Sequence, residues 1–365
     1  MGGIRIARIA GIPIYLHPTW FLVFFLVTWL LSEQLRATHP GTASAVALLV
    51  GGATSLLFAA SIVLHELGHS VLARHHRVPV RSITLFVFGG IAAIERDAET
   101  PRAELEIAIA GPIVSALLGL VFVLLERVAP EASAWASMAD WLMRINLGVA
   151  IFNLLPGFPL DGGRVLRAFL WARTGSASGA TRTAARAGQW IAYAFIAFGA
   201  LRVMGGDLGG LWLAFIGWFL VSASGSSIQQ AAIGDALAGL RARDVVSPDV
   251  PRIGANASVG EFARRFAMRG QRWALVEEGP RVVGLVSLTD VKHVAPDAWE
   301  STRIASIATP IEKVETASPE SPVLEVLRQM AQRDVNQIPV RDGDRILGAI
   351  SRDALLQLID LRRQA

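Results

Sequence analysis

The feature that most constrains this chain is a series of apolar runs, each long enough to cross a bilayer and confined to the first 230 residues. A spanning helix needs about 20 predominantly apolar residues. Residues 18–35, 43–74, 104–126, 187–204 and 209–228 fit that requirement. A shorter run at 145–155, extendable back towards Trp135, ends at Asn153-Leu154-Leu155-Pro156 and is read as the fourth of six spans. The run at 43–74 is longer than a bilayer needs, so one end should protrude. From residue 240 onward the chain reads as a soluble domain. The uneven distribution explains why only 18% of the residues are charged, against about 25% in an ordinary soluble protein.

Charge then orients the spans. The basic residues are almost all Arg, and the net charge is +4. With the N-terminus inside, the inner segments hold Arg5 and Arg8, then Arg74, Arg77, Arg81, Arg96 and Arg102, then Arg164, Arg167, Arg173, Arg182 and Arg186. The outer loops hold Arg36 and Arg127, with Arg144 and Arg202 near their edges. This asymmetry predicts a multi-pass cell-membrane protein with a cytoplasmic N-terminus. An even number of spans would leave the C-terminal domain in the cytoplasm as well. No Arg-rich run is interleaved with aromatics, which argues against nucleic acid as a partner. Residues 1–15 lack a signal-peptide pattern. Cysteine is absent, so disulfides and thiolate metal sites are excluded. A transition metal would have to be held by His, Asp or Glu.

Such residues occur at the end of the second span, in His65-Glu66-Leu67-Gly68-His69. Two imidazoles at i and i+4 share one helix face and can chelate one ion. Neutral imidazole suits zinc. A carboxylate between them stands beside the water that the ion would activate, and can accept its proton. The competing reading puts the three side chains at the interface, where the helix has already left the lipid. A further protein ligand is needed if zinc is to keep one open position. Asp161 is the only carboxylate in Asn153-Leu154-Leu155-Pro156-Gly157-Phe158-Pro159-Leu160-Asp161-Gly162-Gly163-Arg164. The prolines and glycines there break the helix, which at membrane depth is tolerated only against protein or a water-filled cavity. The plainer role for Asp161 is a helix N-cap.

Other polar residues have ordinary readings. His17 could face the cavity but reads better as interfacial. His39 belongs to an outer loop, and His75 and His76 to the headgroup level. Trp20, Trp29, Trp212 and Trp218 suit an aromatic belt or bundle packing. Asp140 and Arg144 are spaced to pair at i, i+4. Residues 80–94, β-branched and aromatic around Gly89-Gly90, predict a membrane-associated β-hairpin.

Residues 241–361 contain an internal repeat with an offset of 64: Val259 matches Val323, Val276 matches Val340, and Gly284-Leu285-Val286-Ser287 matches Gly348-Ala349-Ile350-Ser351. Each half reads strand, helix, strand, strand, helix, so a tandem α/β pair is expected.

These motifs together resemble the site-2 protease family of intramembrane metalloproteases over residues 1 to about 225. The resemblance implies one Zn2+ per chain on His65, His69 and Asp161, with Glu66 as catalytic base. Asn153 would orient substrate or the oxyanion. Gly111-Pro112 matches a Gly-Pro in the family's third span, and Gly11-Ile12-Pro13-Ile14 with His17-Pro18 fits its N-terminal segment. The Phe88-Gly89-Gly90 element would pair with an unwound substrate strand by β-addition.

The 64-residue repeat resembles a tandem CBS pair. In that family the pattern Gly284-x-x-Ser287-x-x-Asp290 would place Asp290 on ribose hydroxyls and Ser287 near ribose or phosphate of an adenine nucleotide. The second copy has Ala354 where Asp is expected, with Asp353 one position early, so a purely structural pair is the competing reading. The resemblance also leaves room for a homodimer through the CBS pair.

The sequence therefore predicts a polytopic α-helical membrane protein with a soluble α/β CBS pair. Its divisions fall at 1–230, 241–300 and 301–362. The expected function is an intramembrane zinc metalloendopeptidase cleaving membrane-anchored proteins, with its active-site opening on the cytoplasmic side. The alternative is a non-catalytic nucleotide-sensing membrane protein with a structural metal.

Overall fold

The computed structural model describes residues 3–87, 89–94, 96–130, 133–265, 271–343 and 345–364. The chain divides into two compact units, Met1–Ala231 and Ala232–Ala365.

The first unit is built on helices α1 (Trp20–Thr38), α2 (Ser44–His75), α3 (Pro101–Val128), α4 (Ala134–Asn153), α5 (Asp161–Thr174), α6 (Ala177–Met204) and α7 (Gly209–Leu237), the last of which runs on into the second unit. Among the described residues, α1, α2, α3, α6 and α7 are long and apolar enough to cross a membrane. The expected fourth span is α4. It starts at Ala134, well before the apolar run, and is not one of those five. Asp140, Arg144 and Asn146 lower its hydropathy; Asp140 and Arg144 form the predicted pair at 2.7 Å. With 32 residues, α2 rises about 48 Å, longer than a hydrocarbon core of about 30 Å requires.

The packing is that of helices in lipid. On α2 the buried positions include Gly51, Thr54, Ser55, Ser61 and Ser70, while Leu49, Leu56 and Leu64 are exposed. Small residues let helix backbones approach, and short polar side chains bond across the seam. Thr28 Oγ1 on α1 donates to Ser55 Oγ on α2 at 3.0 Å, and Ser32 Oγ donates to the Ala47 carbonyl at 3.1 Å.

The predicted hairpin is present as β3 (Val80–Phe86) and β4 (Gly89–Ile94). Phe88 lies outside the described residues. The hairpin is half of a larger sheet, because β1 (Ile4–Ile9) and β2 (Ile12–Leu16) complete the order β1-β2-β3-β4. β2 runs parallel to β3, pairing Ile14 with Ile83 and Leu16 with Leu85. One face of this sheet packs Ile12 and Ile83 onto Leu67 of α2. The sheet is therefore anchored on the helical turn between the two motif histidines.

The second unit comprises α8 (Ala242–Val245), β5 (Arg252–Gly254), α9 (Val259–Arg265), β6 (Trp273–Glu278), β7 (Arg281–Ser287), α10 (Leu288–Val291), α11 (Ile304–Ile307), β8 (Thr309–Pro310), α12 (Val323–Arg333), β9 (Gln337–Asp342), β10 (Arg345–Ser351) and α13 (Arg352–Gln364). The offset of 64 persists in the strand register: Val276 pairs with Gly284 and Val340 with Gly348. Gly279 and Gly343 both turn their hairpins at positive φ, which suits a residue without Cβ. The two halves bury matching cores, Val259, Val276 and Val286 in one and Val323, Val340 and Ile350 in the other. They differ at the first strand. The counterpart of β5 is reduced to an isolated bridge from Ala317 to Val340.

Candidate metal centre

The centre begins with α2. His65 and His69 stand one turn apart and are only 5% and 4% exposed, so both imidazoles are enclosed by protein. Their Nε2 atoms lie 3.2 Å apart. Asp161 Oδ2 lies 3.2 Å from each of them. Among the described residues, these three form the cluster of His and carboxylate groups able to share an ion.

Asp161 reaches them because the segment before it is pinned. Phe158 N–H donates to the Ala184 carbonyl, and Ser224 Oγ donates to the Phe158 carbonyl. A Cβ on Gly188 would collide with the Phe158 backbone, so α6 and this loop touch main chain to main chain. The break at residues 154–160 thus rests on protein, as irregular backbone at membrane depth must. Asp161 is the first residue of α5, behind Leu160 at the cap position. Its carboxylate faces the histidines instead of capping the helix.

Helix α3 supports the imidazoles from behind. His69 Nδ1 lies 2.7 Å from the Ile107 carbonyl. A carbonyl only accepts, so Nδ1 carries the proton and Nε2 keeps its lone pair. His65 Nδ1 lies 2.8 Å from Ser115 Oγ, which can accept in the same way. Between these supports lies Gly111, where a Cβ would fall 2.6 Å from His65 Nε2 and closer still to His69 Nε2. Only a residue without a side chain leaves room for both rings and anything they hold.

The geometry fits zinc. Four ligands at 2.0–2.1 Å in a tetrahedron stand about 3.3–3.4 Å apart, close to the 3.2 Å edges of this triangle. Two neutral imidazoles and one carboxylate form a catalytic donor set, whereas structural zinc sites take four protein ligands.

Glu66 is partly buried beside the triangle, outside the cluster of three. A Cβ on Gly90 would lie 2.6 Å from Glu66 Cγ, so β4 passes directly over the carboxylate. β4 is an edge strand, with β3 as its one strand partner in the sheet. Asn153, half-buried, is the last residue of α4. His17 is not one of the cluster of three; its Nδ1 engages Thr19 Oγ1 at 2.8 Å and Thr19 N–H at 3.3 Å, just before α1. His76 pairs with Glu106 at 2.7 Å, near the C-terminal end of α2.

In the second unit, Ser287 and Asp290 meet. Asp290 Oδ2 accepts from Ser287 N–H at 2.8 Å and from its hydroxyl at 2.7 Å, closing a capping box at α10. In the second repeat, Ser351 Oγ caps α13 by accepting from Ala354 N–H at 3.2 Å.

The chain is also similar to known proteins. The model of peptidase family M50 matches residues 53–131 and 126–198, and the CBS domain model matches 242–297 and 304–361. Rip3 of Mycobacterium tuberculosis is 36% identical over 370 residues, spanning 99% of this chain and 94% of that protein. The protein sll0528 of Synechocystis is 32% identical over 363 residues, spanning 98% and 95%. Both are named as zinc metalloproteases. A solved site-2 protease from Methanocaldococcus jannaschii is 31% identical, covers 62% of this chain and 95% of its own length, and superposes with a TM-score of 0.42. With Rip3 36% identical along 99% of this chain, the chain belongs to the M50, or site-2 protease, family of membrane zinc metalloproteases and carries a tandem CBS pair.

Proposed function

We propose that residues 1–230 form an intramembrane endopeptidase for membrane-anchored proteins, with His65, His69 and Asp161 as its zinc ligands. Residues 241–300 and 301–362 are the two CBS repeats. The observation that carries the reading is the 3.2 Å triangle of two Nε2 atoms and one carboxylate oxygen, with Glu66 beside it and the edge strand β4 above Glu66.

His65, His69 and Asp161 would hold a zinc ion, which would supply Lewis-acid polarisation of the scissile carbonyl and of the attacking water. Glu66 takes one proton from the water as its oxygen adds to the carbonyl carbon. It returns that proton to the leaving nitrogen as the C–N bond breaks. Asn153 orients the substrate carbonyl. A transmembrane substrate satisfies its own backbone hydrogen bonds as a helix, so it must unwind before attack. The position of β4 at the sheet edge supports this step, because an unwound segment can pair there as an added strand. Helix-weakening residues near the scissile bond should speed cleavage.

The Arg asymmetry supports a cytoplasmic N-terminus, active-site opening and CBS pair. This topology requires α4 to cross with the other five helices. In the CBS pair, Ser287 and Asp290 are the groups for an adenine nucleotide, whose binding would modulate the protease. Homodimerisation through the pair belongs to the same proposal.

The test is cleavage of a membrane-tethered reporter by Glu66→Gln. The variant should keep fold and bound zinc while cleavage falls by at least about 100-fold, within the range assigned to a lost general base. Cleavage at the wild-type rate would remove Glu66 from this role.

A further inference from the structure

We infer that Glu104 is a positioning residue for Asp161, acting through Arg164; this rests on the reading of Asp161 as a zinc ligand. Glu104 lies in the first turn of α3, and its side chain is 1% exposed. Its carboxylate is gripped from α5. Arg164 Nε donates to Oε1 at 2.9 Å and Arg164 Nη2 to Oε2 at 3.4 Å, while Arg167 Nη2 stands 3.8 Å from Oε2. Asp161, Arg164 and Arg167 follow one another at i, i+3 along one side of α5, where such residues are neighbours.

Asp161 sits at the very start of α5, with no side-chain cap from Leu160. The first turn of the helix therefore depends on outside contacts for its rotation. Arg164 supplies one through a two-nitrogen grip on a carboxylate of α3, a geometry that fixes direction as well as distance. An apolar contact of the same volume would hold α5 against α3 about as firmly, but would leave rotation about the α5 axis less defined. Rotation is what matters to Asp161, because metal–ligand distances tolerate only about 0.2 Å.

Placement on α3 strengthens the inference. Glu104, Ile107, Gly111 and Ser115 recur at steps of three or four residues, forming one stripe along the helix. Ile107 holds His69, Ser115 holds His65, and Gly111 leaves the space between them. Glu104 completes the stripe by holding the helix that carries Asp161. One face of α3 thus supports the origin of all three ligands.

The test is zinc affinity of the purified full-length protein, read by competition with a chromophoric chelator. Glu104→Gln should weaken zinc roughly 10–100-fold, as loss of an outer-shell partner does. Arg164→Lys, which keeps the charge but loses the two-nitrogen grip, should weaken it in the same direction. In an Asp161→Ala background, Glu104→Gln should add less than about a threefold further loss, because coupled residues are not additive. If Asp161→Ala alone leaves affinity unchanged, the ligand reading falls and this inference with it. If Asp161→Ala weakens zinc but Glu104→Gln leaves it unchanged, only the positioning role is overturned. An undiminished Glu104→Gln effect in the Asp161→Ala background would also overturn it. Should Glu104→Gln fail to fold, Arg164→Lys decides, and wild-type affinity in that variant refutes the role.

Discussion

Gly111→Ala is the most discriminating small perturbation, because it adds one methyl group where the two imidazoles converge. The added Cβ would stand 2.6 Å from His65 Nε2 and from His69 Cε1, where ordinary contact begins at 3.4 Å. Both rings, or α3 itself, must therefore give way, by about 0.8 Å at His65 and more at His69, several times the roughly 0.2 Å that a metal bond tolerates. Each Nδ1 is tied to α3, so retreat also strains the bonds to Ile107 or Ser115. Losing an outer-shell partner alone costs 10–100-fold in metal affinity, about 1.4–2.7 kcal/mol. Obstructing the rings directly should cost at least the upper figure. Helix propensity works the other way, since Ala replaces Gly with a gain of up to about 1 kcal/mol in a helix interior. Thermal stability should thus hold better than zinc binding. The assay is chelator competition beside a thermal melt, with Gly148→Ala as control, since nothing lies within 4 Å of a Cβ there. Wild-type zinc affinity in Gly111→Ala would refute the reasoning, because the rings would then have space that this geometry denies them.

Two further outcomes follow from the same contacts. Ser115→Ala should weaken zinc about 10-fold by leaving His65 Nδ1 without its partner, and Ser115→Thr should recover most of the loss; calorimetric zinc titration reads both. Asp290→Ala should abolish any binding of adenine nucleotides to the full chain. Calorimetry with ATP, ADP and AMP showing no heat with the wild type would remove the premise of nucleotide control.

What the sequence reveals and what it conceals divide along contact range. His65, Glu66 and His69 are one helical turn, so their spacing alone puts both imidazoles on one face. Asp161 was findable because prolines and glycines interrupt an apolar stretch beside a lone carboxylate. The CBS repeat announces itself through its constant offset, which the β6–β7 and β9–β10 registers preserve. The groups that hold the three proposed ligands give no such signal. Ser115 lies 50 residues from His65, and Ile107 lies 38 from His69 and acts through its backbone. Glu104 reads as an ordinary charge at the start of a membrane helix until Arg164, 60 residues on, closes over it. Strands β1 and β2 escaped because their place in the sheet depends on a parallel pairing across nearly seventy residues. The start of α4 at Ala134 agrees with an extension of the apolar run back towards Trp135, with Asp140 and Arg144 paired inside the helix.

Zinc-edge X-ray absorption on the purified full-length protein tests the central claim most directly, because it counts ligands without relying on activity. The account predicts one zinc per chain in a four-coordinate shell of nitrogen and oxygen at about 2.0–2.1 Å, with scattering from two imidazoles. In Asp161→Ala the two imidazoles should persist while the oxygen contribution and the affinity change. A zinc shell with one imidazole or with three, or one that Asp161→Ala leaves unaltered, would contradict it.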